Sequence, residues 1–268
     1  MSASTASGGA PALFDAHCHL DFDVFDADRD AVFARARAAG VSRFMVPGTT
    51  RARWAGVKAL AGRADVVVSL GLHPYFIDAH GDDDIQALEH ELQTVPGLVG
   101  IGECGIDARF EQTLTRQWAL FEAQLQLARR ARLPVVIHCV HADDQVAKRL
   151  RQLDLPARGL IHAFGGSEQQ ARRFVDLGYT LGLGGALTYS RAQRLHRVVR
   201  SLPDEAFVLE TDSPDMPLSG YQGQRNEPAR LIETLDHVAH LRRQAPGRVA
   251  ELARRNAQRL FGLGSHCG

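Results

Sequence analysis

Imidazole and carboxylate are the side chains that hold divalent cations of borderline hardness, and this sequence sets them in short clusters at the ends of apolar runs. His17 and His19 stand two residues apart in DAHCHL, Glu103 lies in GIGECGID, His138 in PVVIHCV, His162 in RGLIHAFGG and Asp212 in ETDSP. A single histidine at such a place is usually a hydrogen-bonded structural residue, and a single acid is usually a solvated surface group. Four histidines and two acids in equivalent places are a different matter. Burying carboxylates together without a counter-charge costs on the order of several kcal/mol each. A metal centre supplies that charge, and the set exceeds what one tetrahedral ion needs, so two divalent ions are expected: zinc, manganese or magnesium.

The elements that must bring these residues together are legible as an alternation. Apolar, β-branched runs begin at Leu13 (LFDAHCHL), Val41, Val66 (VVVSLGLHP), Leu98, Pro134, Arg158, Tyr179 (YTLGLGGALTY) and Phe207, eight in all. Continuous apolar runs are what strands buried on both faces look like. Helical patterns run over 31–39, 85–95, 117–131, 146–153, 169–177, 195–202, 228–243 and 249–261, several ending at glycine or before proline. Strand and helix alternating around the chain predict a single (β/α)8 TIM barrel over 13–263, preceded by a flexible tail over 1–12. No glycine-rich loop follows the first strand, which argues against a dinucleotide-binding fold.

In such a barrel chemistry sits at the C-terminal ends of the strands, and all six residues fall there, with His73 at the end of the third strand. Side chains alternate along a strand, so Asp15, His17 and His19 share one face, as do Glu210 and Asp212. Asp15 and Glu210 lie deeper and read as supporting hydrogen-bond acceptors. Cys18, Cys104 and Cys139 are expected to face the surrounding helices as packing residues. His80, His90, His196, His237, His240 and His266 have no ligand-like neighbours. In the loop from Ser219 to Asn226, Arg225 is placed to grip a phosphate and Tyr221 to stack on a base.

Acidic and basic residues number 31 each, so no global basic field advertises tight duplex binding. There is no signal peptide and no apolar run of membrane-spanning length. The four cysteines show no CxxC pair and no secreted-scaffold spacing. A reduced cytoplasmic protein with no membrane association and no obligate protein partner is the expectation.

The blocks DAHCHL, GLHP, GIGECGID, IHAFGG and ETDSP, in that order at strand ends from about Leu13 to Leu263, resemble the signatures of the TatD family of metal-dependent deoxyribonucleases, within the amidohydrolase-like barrels. GLGGALTYSRA from Gly182 is similar to one bacterial branch of uncharacterised TatD-like hydrolases. The resemblance implies that His17, His19 and Asp212 serve one metal, His138 and His162 the other, and that Glu103 bridges both. It implies that His73 lines the pocket. It departs at Val140, where many members carry arginine. The implied activity is cleavage of single-stranded DNA phosphodiesters by a two-metal-activated water, with Asp212 as general base. The alternative is amide, ester or lactone hydrolysis at the same site. Related barrels that do this often bridge their metals with a carboxylated lysine, but Lys58 and Lys148 both fall in helical stretches, which leaves Glu103 as the bridge and favours the nuclease.

Overall fold

The computed structural model describes residues 12–264. Of the expected tail, residues 1–11 lie outside the described residues, as do His266 and Cys267. Eight parallel strands form one sheet in the order of the chain. They are β1 (Leu13–Asp15), β2 (Val41–Pro47), β3 (Val66–Leu70), β4 (Leu98–Asp107), β5 (Val135–Val140), β6 (Gly159–Ile161), β7 (Thr180–Leu183) and β8 (Phe207–Leu209). Helices α1 (Arg29–Ala38), α2 (Trp54–Leu60), α3 (Asp84–Thr94), α4 (Leu114–Ala131), α5 (Asp143–Leu153), α6 (Glu168–Asp176), α7 (Gln193–Ser201) and α8 (Leu231–Arg242) alternate with them, and α9 (Pro246–Leu260) ends the described chain. The barrel is the (β/α)8 fold expected from the alternation. Ala16 N–H donates to the Leu209 carbonyl and Asp212 N–H to that of His17, which joins the first strand to the last.

Strands β1, β6 and β8 are each only three residues long, shorter than their apolar runs suggest, and the reason is local. After Asp15 the ladder gives way to single bonds: Cys18 N–H donates to Met45 and His19 N–H to Ser213. Beyond Ile161 and Leu209 the chain enters positive φ at Ala163 and Asp212. His17, His19, His162 and Asp212 thus stand just past the strands on sharply bent backbone. Helix α2 was not marked by the sequence pattern. It is two turns long with Gly56 inside, and its buried stripe is merely Trp54, Val57 and Leu60.

The core has two layers. The larger lies between the barrel and its helices, with Phe33, Phe44, Phe121 and Phe174 fully enclosed. The smaller gathers Phe14, Met45, Val136, Leu160 and Val208 from five different strands, which meet only inside the barrel. Ala257 and Phe261 pack beneath it, Phe261 lying 6.0 Å from the Phe14 ring. Asn256 on the same helix donates to the carbonyls of Asp204 and Phe207, at the start of β8. Helix α9 therefore closes the N-terminal end of the barrel and leaves the opposite end open. Phe261→Ala should lower the unfolding free energy by about 3 kcal/mol, read from the midpoint of a urea transition with unchanged slope. A loss under about 1 kcal/mol would show that the floor seals without this ring.

Candidate metal centre

Strand β4 is drawn unusually close to its neighbours around Glu103. Gly102 and Gly105 adopt φ of +135° and +141°, and a Cβ on them would come within 2.4 Å of the Val136 carbonyl and 2.0 Å of the His138 carbonyl. Only glycine fits both the backbone and the space. The result sets Glu103 beside the end of β5, where His138 points inward.

Glu103 is 1% exposed, and neither of its oxygens has a hydrogen-bond donor. Imidazoles crowd them instead, none aligned as a hydrogen bond. Oε1 lies 2.7 Å from His162 Nε2, 2.8 Å from His73 Nε2 and 3.3 Å from His138 Nδ1. Oε2 lies 3.1 Å from His17 Nε2 and 3.2 Å from His19 Nε2. Asp212 Oδ1 completes that second side, 3.4 Å from His17 and 3.6 Å from His19. The His17 and His162 rings stack at 3.9 Å across the boundary. All six residues expected as ligands are thus gathered about one carboxylate, whose two oxygens face two separate sets of nitrogens.

The electrostatics are those of a site built for cations. Burial alone would push Glu103 up, but His162, His73 and His17 outweigh it and hold the carboxyl well below its usual range. Burial pulls His17 down to about 4, helped by His162. His162 resists its own burial because of Glu103 and rises to about 9. The imidazoles crowd one another as well, with His17 and His19 Nε2 in hydrogen-bond contact at 3.2 Å. Divalent cations between those nitrogens and oxygens would relieve the contact, and the donor set of imidazole and carboxylate suits zinc or manganese.

His73 is set apart from the others by its tautomer. Tyr75 N–H donates to its Nδ1 at 3.0 Å, so the ring proton of the neutral imidazole sits on Nε2. A protonated nitrogen offers no lone pair, which makes His73 a wall of the pocket and a donor. His138 shows the reverse arrangement. Its Nε2 faces Asp107 Oδ2 at 3.1 Å, leaving the Nδ1 lone pair aimed at the cluster. Asp107 is itself forked by Arg109, through Nε at 2.9 Å and Nη2 at 2.5 Å. Sequence reasoning passed over Asp107 as a functional residue. The available signal was its place four residues after Glu103 on the same strand, and hence on the same face.

The two deeper acids have distinct surroundings. Asp15 accepts from Thr211 N–H at 3.0 Å and from its hydroxyl at 2.6 Å, which fixes the bend that carries Asp212. Glu210 lies under the stacked His17 and His162, accepts from Ala163 N–H and keeps Oε2 unpaired. Burial raises Asp15 to about 7 and Glu210 to about 8.

The open end of the barrel holds a cavity of about 1010 Å³ lined by His19, His73, Glu103, His138, His162 and Asp212, among others. Three expectations need correction here. Tyr221 is not on its wall: the hydroxyl donates to Glu233 at 2.9 Å and Arg230 covers the ring. Arg225 does reach the rim, but its guanidinium is spent on Asp28, Glu227 and the Val24 carbonyl, all at 2.8 Å. Cys139 packs against the larger core layer as expected but is only half-buried and also lines the cavity; Cys18 and Cys104 are buried as expected.

Two outcomes follow from this geometry. Asp107→Asn should weaken divalent-ion binding about tenfold to a hundredfold in calorimetric titration, since the acceptor that orients His138 is lost; unchanged affinity would detach Asp107 from the site. Pairing with Arg225 and Arg35 holds the Asp28 carboxyl below its ordinary range. A depressed carboxyl stabilises the fold above its unfolded value, near pH 4, and that contribution vanishes as pH falls through the folded one. Arg225→Ala should therefore lower the melting temperature at neutral pH, and the difference from the parent should shrink steadily in acid. A difference that grew in acid would contradict the pairing.

A family model described as TatD related DNase matches residues 14–262. The chain is 41% identical over 258 residues to the uncharacterized metal-dependent hydrolase YjjV of Escherichia coli (strain K12), covering 94% of this chain and 98% of that one. It is 34% identical to the 3'-5' ssDNA/RNA exonuclease TatD of Rahnella sp. (strain Y9602), over 94% of this chain and 98% of the other. The crystal structure of YjjV, a TatD homolog from Escherichia coli K12, superposes with a TM-score of 0.92 at 39% identity, covering 96% of this chain and all of that one. With the fold, the match along nearly its full length and the gathered histidines and acids in agreement, the chain belongs to the TatD family of metal-dependent hydrolases.

Proposed function

We propose that this hydrolase is a deoxyribonuclease that removes nucleotides from single-stranded ends, using two divalent ions. The observation that carries this reading is Glu103, whose two oxygens face two separate imidazole sets in one buried cluster. One side would be held by His17, His19 and Asp212, the other by His138 and His162, with Glu103 shared. Ions bound there would polarise a phosphoryl oxygen and make water acidic enough to attack at neutral pH.

The chain's own groups do the rest. Asp212 is the one acid of the cluster that reaches the open side, with its side chain 13% exposed. Burial would raise it, but His19, His162 and His17 hold its carboxyl below the usual value, so it is ionised and ready to take the proton of the attacking water. His73, its Nε2 turned to Glu103 Oε1 at 2.8 Å, walls the pocket beside the cluster. The Rahnella relative, named as an exonuclease on single-stranded DNA and RNA, supports the substrate class. The arginines of the mouth support it too. Arg53 is paired with Asp23, Arg109 with Asp107 and Arg225 with Asp28, so little net positive field remains to hold a duplex. A cavity of this size takes a frayed terminal nucleotide more readily than a paired end.

The carbonyl-hydrolase alternative gains no support from the site. Lys58 lies on α2, paired with Glu91, and Lys148 on α5, so neither can stand where Glu103 stands. A cytoplasmic setting accords with the free, unbridged Cys18, Cys104 and Cys139.

Reconstituted protein should bind about two divalent ions per chain, and His162→Ala should lose one along with orders of magnitude in turnover, while His237→Ala stays close to the parent. Elemental analysis with one ion at most, unaffected by Glu103→Ala, would remove the two-ion reading. On oligonucleotides, single strands should be cleaved in preference to blunt duplex. The binding constant should fall with salt with a logarithmic slope of roughly −2 or shallower, as for two or three phosphate contacts. Rapid hydrolysis of esters or lactones with no nucleotide release under any metal would transfer the protein to the alternative.

A further inference from the structure

Among the described residues, the exposed large hydrophobics are Val24 (52%), Tyr75 (58%) and Phe110 (37%). Exposed apolar residues scattered singly need no explanation. These are not scattered. Val24 and Tyr75 both line the cavity that holds Glu103, and Phe110 sets its ring edge-to-face against Tyr75 at 5.6 Å. Phe76 packs against Tyr75 at 5.1 Å and against His73 at 5.8 Å. An aromatic path thus runs from His73 in the cluster, through Phe76, to Tyr75 and Phe110 in solvent.

The path is built rather than loose. Tyr75 opens a short 3₁₀ segment (Pro74–Ala79), and its N–H is fixed to His73 Nδ1. Its hydroxyl has no protein hydrogen-bond partner among the described residues, so nothing in the chain accounts for the ring's position by polar bonding. Arg109 stands over Phe110 at 5.7 Å, and the fork to Asp107 uses Nε and Nη2, leaving Nη1 without a protein partner. A flat ring beside a guanidinium with a spare donor, next to a phosphodiester site, matches a nucleobase and its phosphate.

We infer that Tyr75, supported by Phe110, stacks the base of the second nucleotide of the bound strand, the one adjoining the nucleotide removed at Glu103. This moves the stacking role from Tyr221 to the opposite part of the mouth, and it rests on the proposed nuclease function. The consequence is a requirement for a base, not for a particular base, at that position, because every base offers a π-face.

The test compares a short single-stranded oligodeoxynucleotide with the same strand carrying an abasic residue second from the 3' end, in metal-loaded parent, Tyr75→Ala and Tyr75→Phe. The parent should lose roughly tenfold in KM on the abasic strand, and Tyr75→Ala should show the same loss on the intact strand. The two losses should not add: the abasic strand should cost Tyr75→Ala no more than about a further twofold. Tyr75→Phe keeps the ring and should behave as the parent, which separates stacking from misfolding. Additive losses, or a parent-like KM for Tyr75→Ala on the intact strand, would overturn the inference while leaving the nuclease reading in place. A parent that cleaves neither strand would instead overturn the nuclease reading, and the inference with it.

Discussion

A carboxylate enclosed by protein, with no hydrogen-bond donor among the described residues, is among the costliest things a fold can hold, and Glu103 is such a group. Much of the barrel's open end can be understood as what makes it tolerable. Two glycines let β4 approach β5 so that His138 reaches it. The ends of β1, β6 and β8 abandon ladder geometry and bend, bringing His17, His19, His162 and Asp212 to the same point. Each bend is secured by a polar residue below it, Asp15 by Thr211 and Glu210 by the Ala163 amide. The site and the irregularities of the barrel are one feature. Removing the cations from such a cluster leaves charge that neighbouring imidazoles must absorb as protons.

The arginines show how a chain with balanced charge arranges its open end. Arg53, Arg109 and Arg225 at the mouth each pair with a protein carboxylate, so the charges at the rim are largely neutralised while the imidazoles and acids of the floor face the cavity. Among these three, Arg109 is the one whose carboxylate also touches a histidine of the cluster, so the outer mouth and the inner cluster are linked through Asp107.

Much of this was legible in the residues themselves. Eight apolar runs announce a parallel barrel because strands buried on both faces have no polar side to show. The six candidate ligands stand out because polar side chains at strand ends have few other reasons to be there. Asp107 escaped because an acid that ends a glycine-rich strand looks like an ordinary solvated residue until its partner His138 is placed. Arg225 and Tyr221 misled for the opposite reason. A loop with glycine, arginine and tyrosine has the composition of a binding loop, but composition does not reveal which way it folds: Arg225 turns to Asp28, far off in sequence, and Tyr221 to Glu233 on the following helix. Val140 lines the mouth and pairs with Asp107 of the neighbouring strand, which the sequence alone does not show.

Helix α9 closes the barrel from below, and it is also the last described element to leave the ribosome. Until it emerges, Phe14 and the other interior residues of the first strands have no floor to pack on. β1 likewise waits for β8 before the barrel can close. Contacts between chain ends this distant are slow to form, and a half-made barrel exposes apolar strand edges throughout. A chain that stops before α9 therefore lacks the floor on which the barrel closes, so truncation near the C-terminus would undo the open end as surely as the loss of one of its histidines.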